Sequence, residues 1–198
     1  MDKTRGHHGK LFIISAPSGC GKTTLSNRIL AGGLGLVRSV SMTTRKPRPG
    51  EKDGLDYHFV SPKAFKGIID KDGFLEYEEN FGNLYGTPKK LLEDNLKDGR
   101  SLLLDIDVKG ALKVKKAYPK ESVLIFILPP KIKELKKRLH LRRSEDAGTM
   151  KRRLDLAKKE IAFKDRYDHK VVNDDLEHAY KKLRKIILSE LKRKTGRD

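Results

Sequence analysis

The sequence predicts an α/β fold, a parallel sheet flanked by helices, on three observations. Two near-continuous apolar runs, SLLLDI at 101–106 and VLIFIL at 123–128, have the pattern of strands covered on both faces. A third run, Leu11 to Ile14, leads through a glycine-bearing loop into a helical pattern. Helical segments separate these runs, and that alternation places ligands outside the carboxyl ends of the strands.

The elements follow in chain order. LFIISAPSGCGKTTLSNRIL, Leu11 to Leu30, reads as a strand, a loop with Gly19 and Gly21, then Lys22, Thr23 and a helix with Leu25, Ile29 and Leu30 on its buried side. That is the order of a Walker A phosphate loop, with Ala16 at its first glycine position. Glycines let successive backbone N–H groups turn inward around a phosphate. Lys22 suits the β- and γ-phosphates, the Thr23 hydroxyl suits Mg²⁺, and the helix points its positive end at the same anion.

A strand is expected over Leu36 to Ser41, then a long Pro- and Gly-rich loop carrying Arg45 and Arg48, then a strand at Tyr57 to Val60. Ser61 followed by Pro62 caps a helix that buries Phe65, Ile68 and Ile69. Phe74 to Glu78 reads as a strand, and Thr87 with Pro88 repeats the cap signal for a helix through Leu91, Leu92 and Leu96 that stops at Gly99. The strand at 101–106 ends in Asp105 and Asp107, and the one at 123–128 is closed by Pro129 and Pro130. Helices are expected at Val108 to Ala117, Ile132 to Leu141 and Thr149 to Arg166. A short strand, Lys170 to Val172, precedes Asn173 and a last helix with Leu176, Ala179, Leu183, Ile186, Ile187 and Leu191 at helical spacing.

At 198 residues the chain suits one domain with inserted lobes. No stretch reaches the ~18 apolar residues of a membrane span. The start MDKTRGHHGK has no apolar signal core, so a cytoplasmic protein without a membrane partner is expected. One cysteine, Cys20, excludes an internal disulfide framework and a multi-cysteine metal site. A net charge of +18 favours polyanions, but no nucleic-acid-reading motif accompanies it and no nucleic-acid partner is expected.

After APSGCGKTT come SMTTRKPRPGEKDG, DYHFVS, FLEYEENFGNLYGT, LLLDIDVKGA, FILPP, LKKRL and VVNDD, in that order. With these segments the chain resembles the guanylate kinases from Leu11 to Ile187. The resemblance implies Mg²⁺-dependent transfer of the γ-phosphoryl group of ATP to GMP. It implies a P-loop core at about 10–40, 99–136 and 167–198, a small mixed α/β GMP-binding lobe at about 41–98 and a helical lid at about 137–166. Pro17, Ser18, Gly19, Cys20, Gly21, Lys22, Thr23, Thr24 and Asn173 would bind ATP, with Thr23 on the metal. Ser41, Arg45, Arg48, Tyr57, Glu76, Tyr85, Thr87, Asp105 and Asp107 would bind GMP. Lys22, Arg45, Arg138, Arg142 and Arg153 would stabilise the transferring group. Oligomeric state is left at monomer or homodimer.

The chemistry suits these residue types. The acceptor phosphate has its second pKa near ~6, so its oxygen is already anionic and needs no general base. What is needed is to hold two polyanions in line and neutralise them, which calls for arginine forks and a metal ion. Guanine has donors at N1 and N2, which an acceptor-only carboxylate such as Glu76 can take, while adenine would leave that carboxylate unpaired. Whether Asp105 and Asp107 touch GMP or metal, or orient Arg45 or Lys22, stays open. Arg143 stands where the family has glycine, Tyr77 where tryptophan is common and Lys109 where glutamine is common. Cys20, at a helix N-terminus, is either a reactive thiol whose modification blocks ATP or a small residue packed in the loop. The alternatives to the kinase are a non-catalytic binding module of the same fold, a nucleic-acid binder suggested by charge alone, and another P-loop small-molecule kinase.

Overall fold

The elements are taken from a computed structural model, which describes residues 9–80, 82–135 and 147–193. The first half contains β1 (Leu11–Ser15), α1 (Lys22–Ala31), β2 (Val37–Arg38), β3 (Met42–Thr43), β4 (His58–Phe59), α2 (Pro62–Ile69), β5 (Phe74–Asn80), β6 (Asn83–Pro88) and α3 (Lys89–Lys97). The second contains β7 (Leu102–Asp105), α4 (Val108–Ala117), β8 (Ser122–Leu128), α5 (Ala147–Ile161), β9 (His169–Val172) and α6 (Leu176–Lys192). Among the described residues no helix is long and apolar enough to cross a membrane.

The apolar runs make the centre of a five-stranded sheet, order β2-β7-β1-β8-β9, in which every pairing is parallel. Its side chains alternate between two cores. Phe12 and Ile14 join Leu25, Ile29, Leu183 and Ile187 beneath α1 and α6. Leu11 and Ile13 join Leu92, Leu96, Ala111 and Val114 beneath α3 and α4. Covering both faces explains why β1, β7 and β8 read as unbroken apolar runs.

A second, mixed sheet has the order β4-β3-β6-β5 and carries the segment between β2 and α3. The strand expected over Leu36 to Ser41 is shortened to β2, which pairs with β7, and the chain then crosses to the other sheet as β3, inside the stretch expected to be loop. β6 was not foreseen, because NLYGTP contains Gly86 and Pro88, which ordinarily argue against a strand. Packing accounts for the glycine: a Cβ at Gly86 would stand 2.7 Å from the Phe74 ring and 3.0 Å from that of Phe65, which stack 4.3 Å apart.

Ser61 caps α2 as expected, its Oγ accepting from the Ala64 N–H at 3.1 Å. Thr87 does not cap α3; it belongs to β6 and its hydroxyl serves Glu76 instead. The helix expected at Thr149 to Arg166 is α5, followed by a short 3₁₀ turn at Lys164–Arg166. Of the helix expected at Ile132 to Leu141, residues 132–135 are helical and the rest lies outside the described residues.

Candidate active site

The phosphate loop joins the carboxyl end of β1 to α1 at the lip of the parallel sheet. Gly19 and Gly21 have φ of +89° and +83°, the left-handed region that a Cβ disfavours. α1 starts without a side-chain cap and without an acidic residue in its first turn, so its N–H groups and positive end face outward uncompensated. Lys22 is half-buried there and Thr23 and Thr24 are exposed. The loop is braced from β9: Asn173, 5 % exposed, donates its Nδ2 to the Cys20 carbonyl at 2.8 Å. A Cβ on Gly21 would lie 2.5 Å from that Nδ2, so this glycine also makes room for the brace. Asn173 is thereby placed at the loop itself. Cys20 is 1 % exposed and packs in the core beneath α1, which favours the packed residue over the reactive thiol.

The mixed sheet supplies the second half. In the antiparallel register Glu76 pairs with Thr87, and Met42 with Gly86, which sets Ser41 beside Thr87. Ser41, Thr87 and Glu76 therefore share one face across β3, β6 and β5, and Tyr85, two residues before Thr87, shares it too. Glu76 is 7 % exposed and accepts from the Thr87 hydroxyl at 2.5 Å. Burial pushes its carboxyl up to about 7 against the pull of that hydrogen bond, and nearby Asp107 adds to the push. Carboxylates perturbed by burial cluster at functional sites.

Next to it lies a basic and phenolic cluster. The Arg45 guanidinium stands 5.5 Å over the Tyr57 ring, and Tyr57 meets Tyr85 edge to face at 5.9 Å. Burial pushes the Tyr57 phenol up, so it remains a hydrogen-bond donor at neutral pH. Arg45 is held by Glu51, Nη2 to Oε1 at 2.9 Å, while Glu51 Oε2 accepts from the Arg48 N–H at 2.7 Å. The Arg48 side chain is exposed. Glu51 was missed in the sequence, although Arg48-Pro49-Gly50-Glu51 carries the signal. Proline and then glycine at the two central positions is a type II turn, closed here by Glu51 N–H to Arg48 carbonyl at 3.0 Å with Gly50 at φ +86°, and it folds the carboxylate back onto the arginines.

The two aspartates part company. Asp105, at the end of β7, accepts from Ser26 of α1 and from Arg38 of β2, the latter at 3.2 Å, so in this structure it ties the phosphate-loop helix to the sheet. Asp107 caps α4, its Oδ1 accepting from the Gly110 N–H at 2.7 Å. A further carboxylate was not foreseen: burial pushes Glu160 of α5 up to about 7, Asp107 adds to this, and Lys22 opposes it. Nothing in the run KKE distinguishes Glu160 from the charged face around it. Arg153 is half-buried on α5; Arg138, Arg142 and Arg143 lie outside the described residues.

The donor set suits a metal that arrives with its nucleotide. Among the described residues no group of three or more His, Cys, Asp or Glu could hold an ion. What remains is the exposed Thr23 hydroxyl beside the loop, and magnesium, which keeps several waters and binds chiefly through substrate phosphates, needs little more.

The site combines a phosphate loop at the lip of a parallel sheet with a second sheet bearing arginine, tyrosines and a buried carboxylate, a set suited to holding phosphates. Comparison with known proteins narrows this. A profile described as Guanylate kinase matches residues 8–190, and the chain belongs to the guanylate kinase family. It is 47 % identical over 184 residues to the guanylate kinase of Caulobacter vibrioides, covering 93 % of this chain and 86 % of that one. To the guanylate kinase of Thermus thermophilus it is 46 % identical over 193 residues, covering 98 % and 85 %. The crystal structure of guanylate kinase from Anaplasma phagocytophilum superposes with a TM-score of 0.80 at 37 % identity, over 94 % of this chain and 88 % of that one.

Proposed function

We propose that the chain acts as a guanylate kinase, moving the γ-phosphoryl group of ATP to GMP to give ADP and GDP. The observation that carries this reading is the buried Glu76–Thr87 pair, since a buried carboxylate that Lys113 reaches only at longer range suits a ligand rich in donors. Guanine N1–H and the 2-amino group are such donors, with Ser41 alongside. Arg45, Arg48, Tyr57 and Tyr85 take the GMP phosphate, and Glu51 sets the angle of Arg45. The loop from Pro17 to Thr24 takes the ATP phosphates on its N–H groups, with Lys22 at the β- and γ-positions. Magnesium bound through Thr23 and the phosphates would neutralise charge between the two nucleotides. Asp105 keeps α1 seated on the sheet.

Because the acceptor oxygen is already an anion, these residues need only bring it in line and exclude water. The division into a core, a GMP-binding lobe at about 41–98 and a lid at about 137–166 follows from the same reading, with Arg138, Arg142 and Arg153 brought to the phosphates by the lid. The test is ADP production from Mg²⁺ and ATP with GMP, AMP, CMP or UMP, with Lys22→Ala as control. Turnover confined to GMP and lost in the control is expected. No turnover with any acceptor, in folded protein, would transfer the assignment to a binding module.

A further inference from the structure

Gly110 sits in the first turn of α4, three residues after its cap Asp107, and is buried. Glycine is the poorest helix former apart from proline, so a reason for it is needed. Backbone conformation is not the reason, because Gly110 is not among the residues with positive φ. Space is. A Cβ here would stand 2.7 Å from Glu76 Oε2, 3.0 Å from Glu76 Cδ and 3.3 Å from Asp107 Oδ1. Glu76 cannot easily yield, since its other oxygen is held by Thr87 at 2.5 Å and the side chain is 7 % exposed.

We propose that Gly110 is a positioning residue for base selection: its bare Cα sets how deep the Glu76 carboxylate sits between the mixed sheet and α4. This rests on the reading of Glu76 as the group that accepts from guanine. At its present depth Glu76 holds Oε1 against the Thr87 hydroxyl and Oε2 over the bare Cα of Gly110, and a methyl at 110 would tilt or raise the carboxylate away from the donors of the base. Gly110 touches no substrate and acts through Glu76, so the damage falls on the acceptor base and leaves ATP binding alone.

The experiment compares Gly110→Ala, Glu76→Asp, Glu76→Gln and the double variant Gly110→Ala/Glu76→Asp. Acceptors are GMP, AMP and inosine monophosphate, which keeps the N1 hydrogen but lacks the 2-amino group. Gly110→Ala is expected to raise KM for GMP at least tenfold and to cut the preference for GMP over inosine monophosphate by a similar factor. KM for ATP should stay within twofold, and any loss of thermal stability caused by the contact should be recovered in Gly110→Ala/Glu76→Asp. Shortening the carboxylate relieves the contact, so Glu76→Asp should harm GMP turnover at least tenfold less in the Gly110→Ala background than in the parent. Unchanged KM and preference in Gly110→Ala, or effects of the two substitutions that multiply independently within twofold, would overturn the proposal. So would a Gly110→Ala protein that fails to fold and is not recovered by Glu76→Asp. Glu76→Gln separates the two levels: if it keeps full preference for GMP over both other acceptors, the base-reading role of Glu76 itself is wrong.

Discussion

Glu76 holds the most informative charge in the molecule because its environment and its task pull in opposite directions. Burial favours the protonated form, with a value of about 7 in place of 4.5, whereas the proposed acceptance from guanine N1–H and the 2-amino group uses the ionised one. The folded-state value is raised, so between 4.5 and about 7 the folded protein holds a proton that the unfolded chain has lost. This group therefore adds stability on the acid side, and the gain disappears as pH rises through 7. GMP binding should do the reverse and expel the proton. Titration calorimetry at pH 6 to 8 in buffers of different ionisation enthalpy should show proton release, and affinity for GMP falling by up to about tenfold per pH unit below 7. Glu76→Gln should abolish that release, keeping only the titration of the GMP phosphate near ~6, and should lose discrimination against AMP. Identical proton release in the variant would contradict the assignment. Glu51 permits a second test at this scale. It is the carboxylate on Arg45, and a charge-assisted hydrogen bond of about 1.5–3 kcal/mol predicts a rise of roughly tenfold or more in KM for GMP in Glu51→Gln, with KM for ATP unchanged in steady-state assays.

Secondary structure was legible where one physical cause dominated. β1, β7 and β8 are covered on both faces, so burial alone wrote them into the sequence, and the Ser61 cap is a local hydrogen bond between residues three apart. β3 and β6 were not legible, because two residues in a proline-rich loop and a strand with Gly86 acquire their meaning only from partners distant in the chain. The same contrast holds in the site. The phosphate loop is a contiguous motif, whereas the bonding of Asp105 to Ser26 and Arg38, and the nearness of Glu160 to Lys22, exist only once the elements are assembled. One assembled feature lies at the opposite end of the parallel sheet. Glu190 near the end of α6 meets Lys10 at 3.4 Å, His169 at 3.1 Å and Arg193 at 2.9 Å, and both Glu190 and Lys10 are almost fully buried. Removing one partner of a buried pair costs about 3–5 kcal/mol, so Glu190→Ala should lower Tm by roughly 6–20 °C for a chain of this size. Calorimetry should show that drop while kcat of the folded fraction is retained, because the cluster is remote from the phosphate loop.

At the scale of the whole molecule the two sheets meet along a narrow seam, where β5 of the mixed sheet lies on α4 beneath the parallel one. Besides the buried contact of Glu76 with Gly110, the ion pairs of that seam are Glu78 with Lys113 at 2.7 Å and with Lys109 at 3.7 Å, and both lysines are well exposed. Exposed pairs of this kind are worth little, so they offer small resistance to rotation of one sheet against the other. Charge would oppose the approach of the proposed lobes. The chain carries +18, and in the proposed reading cations line both nucleotide sites, Lys22 in one and Arg45 and Arg48 in the other. Phosphates would remove that repulsion and bridge the cleft, so closure should need anions on both sides. Small-angle scattering should therefore show modest contraction with ATP or GMP alone and the full contraction with a bisubstrate analogue that joins adenosine and guanosine through a phosphate chain. Raising salt should narrow the difference between the free and bound forms by screening the free one. Scattering unchanged by the bisubstrate analogue, at a concentration where it blocks turnover, would mean that the two sheets already stand at their catalytic spacing.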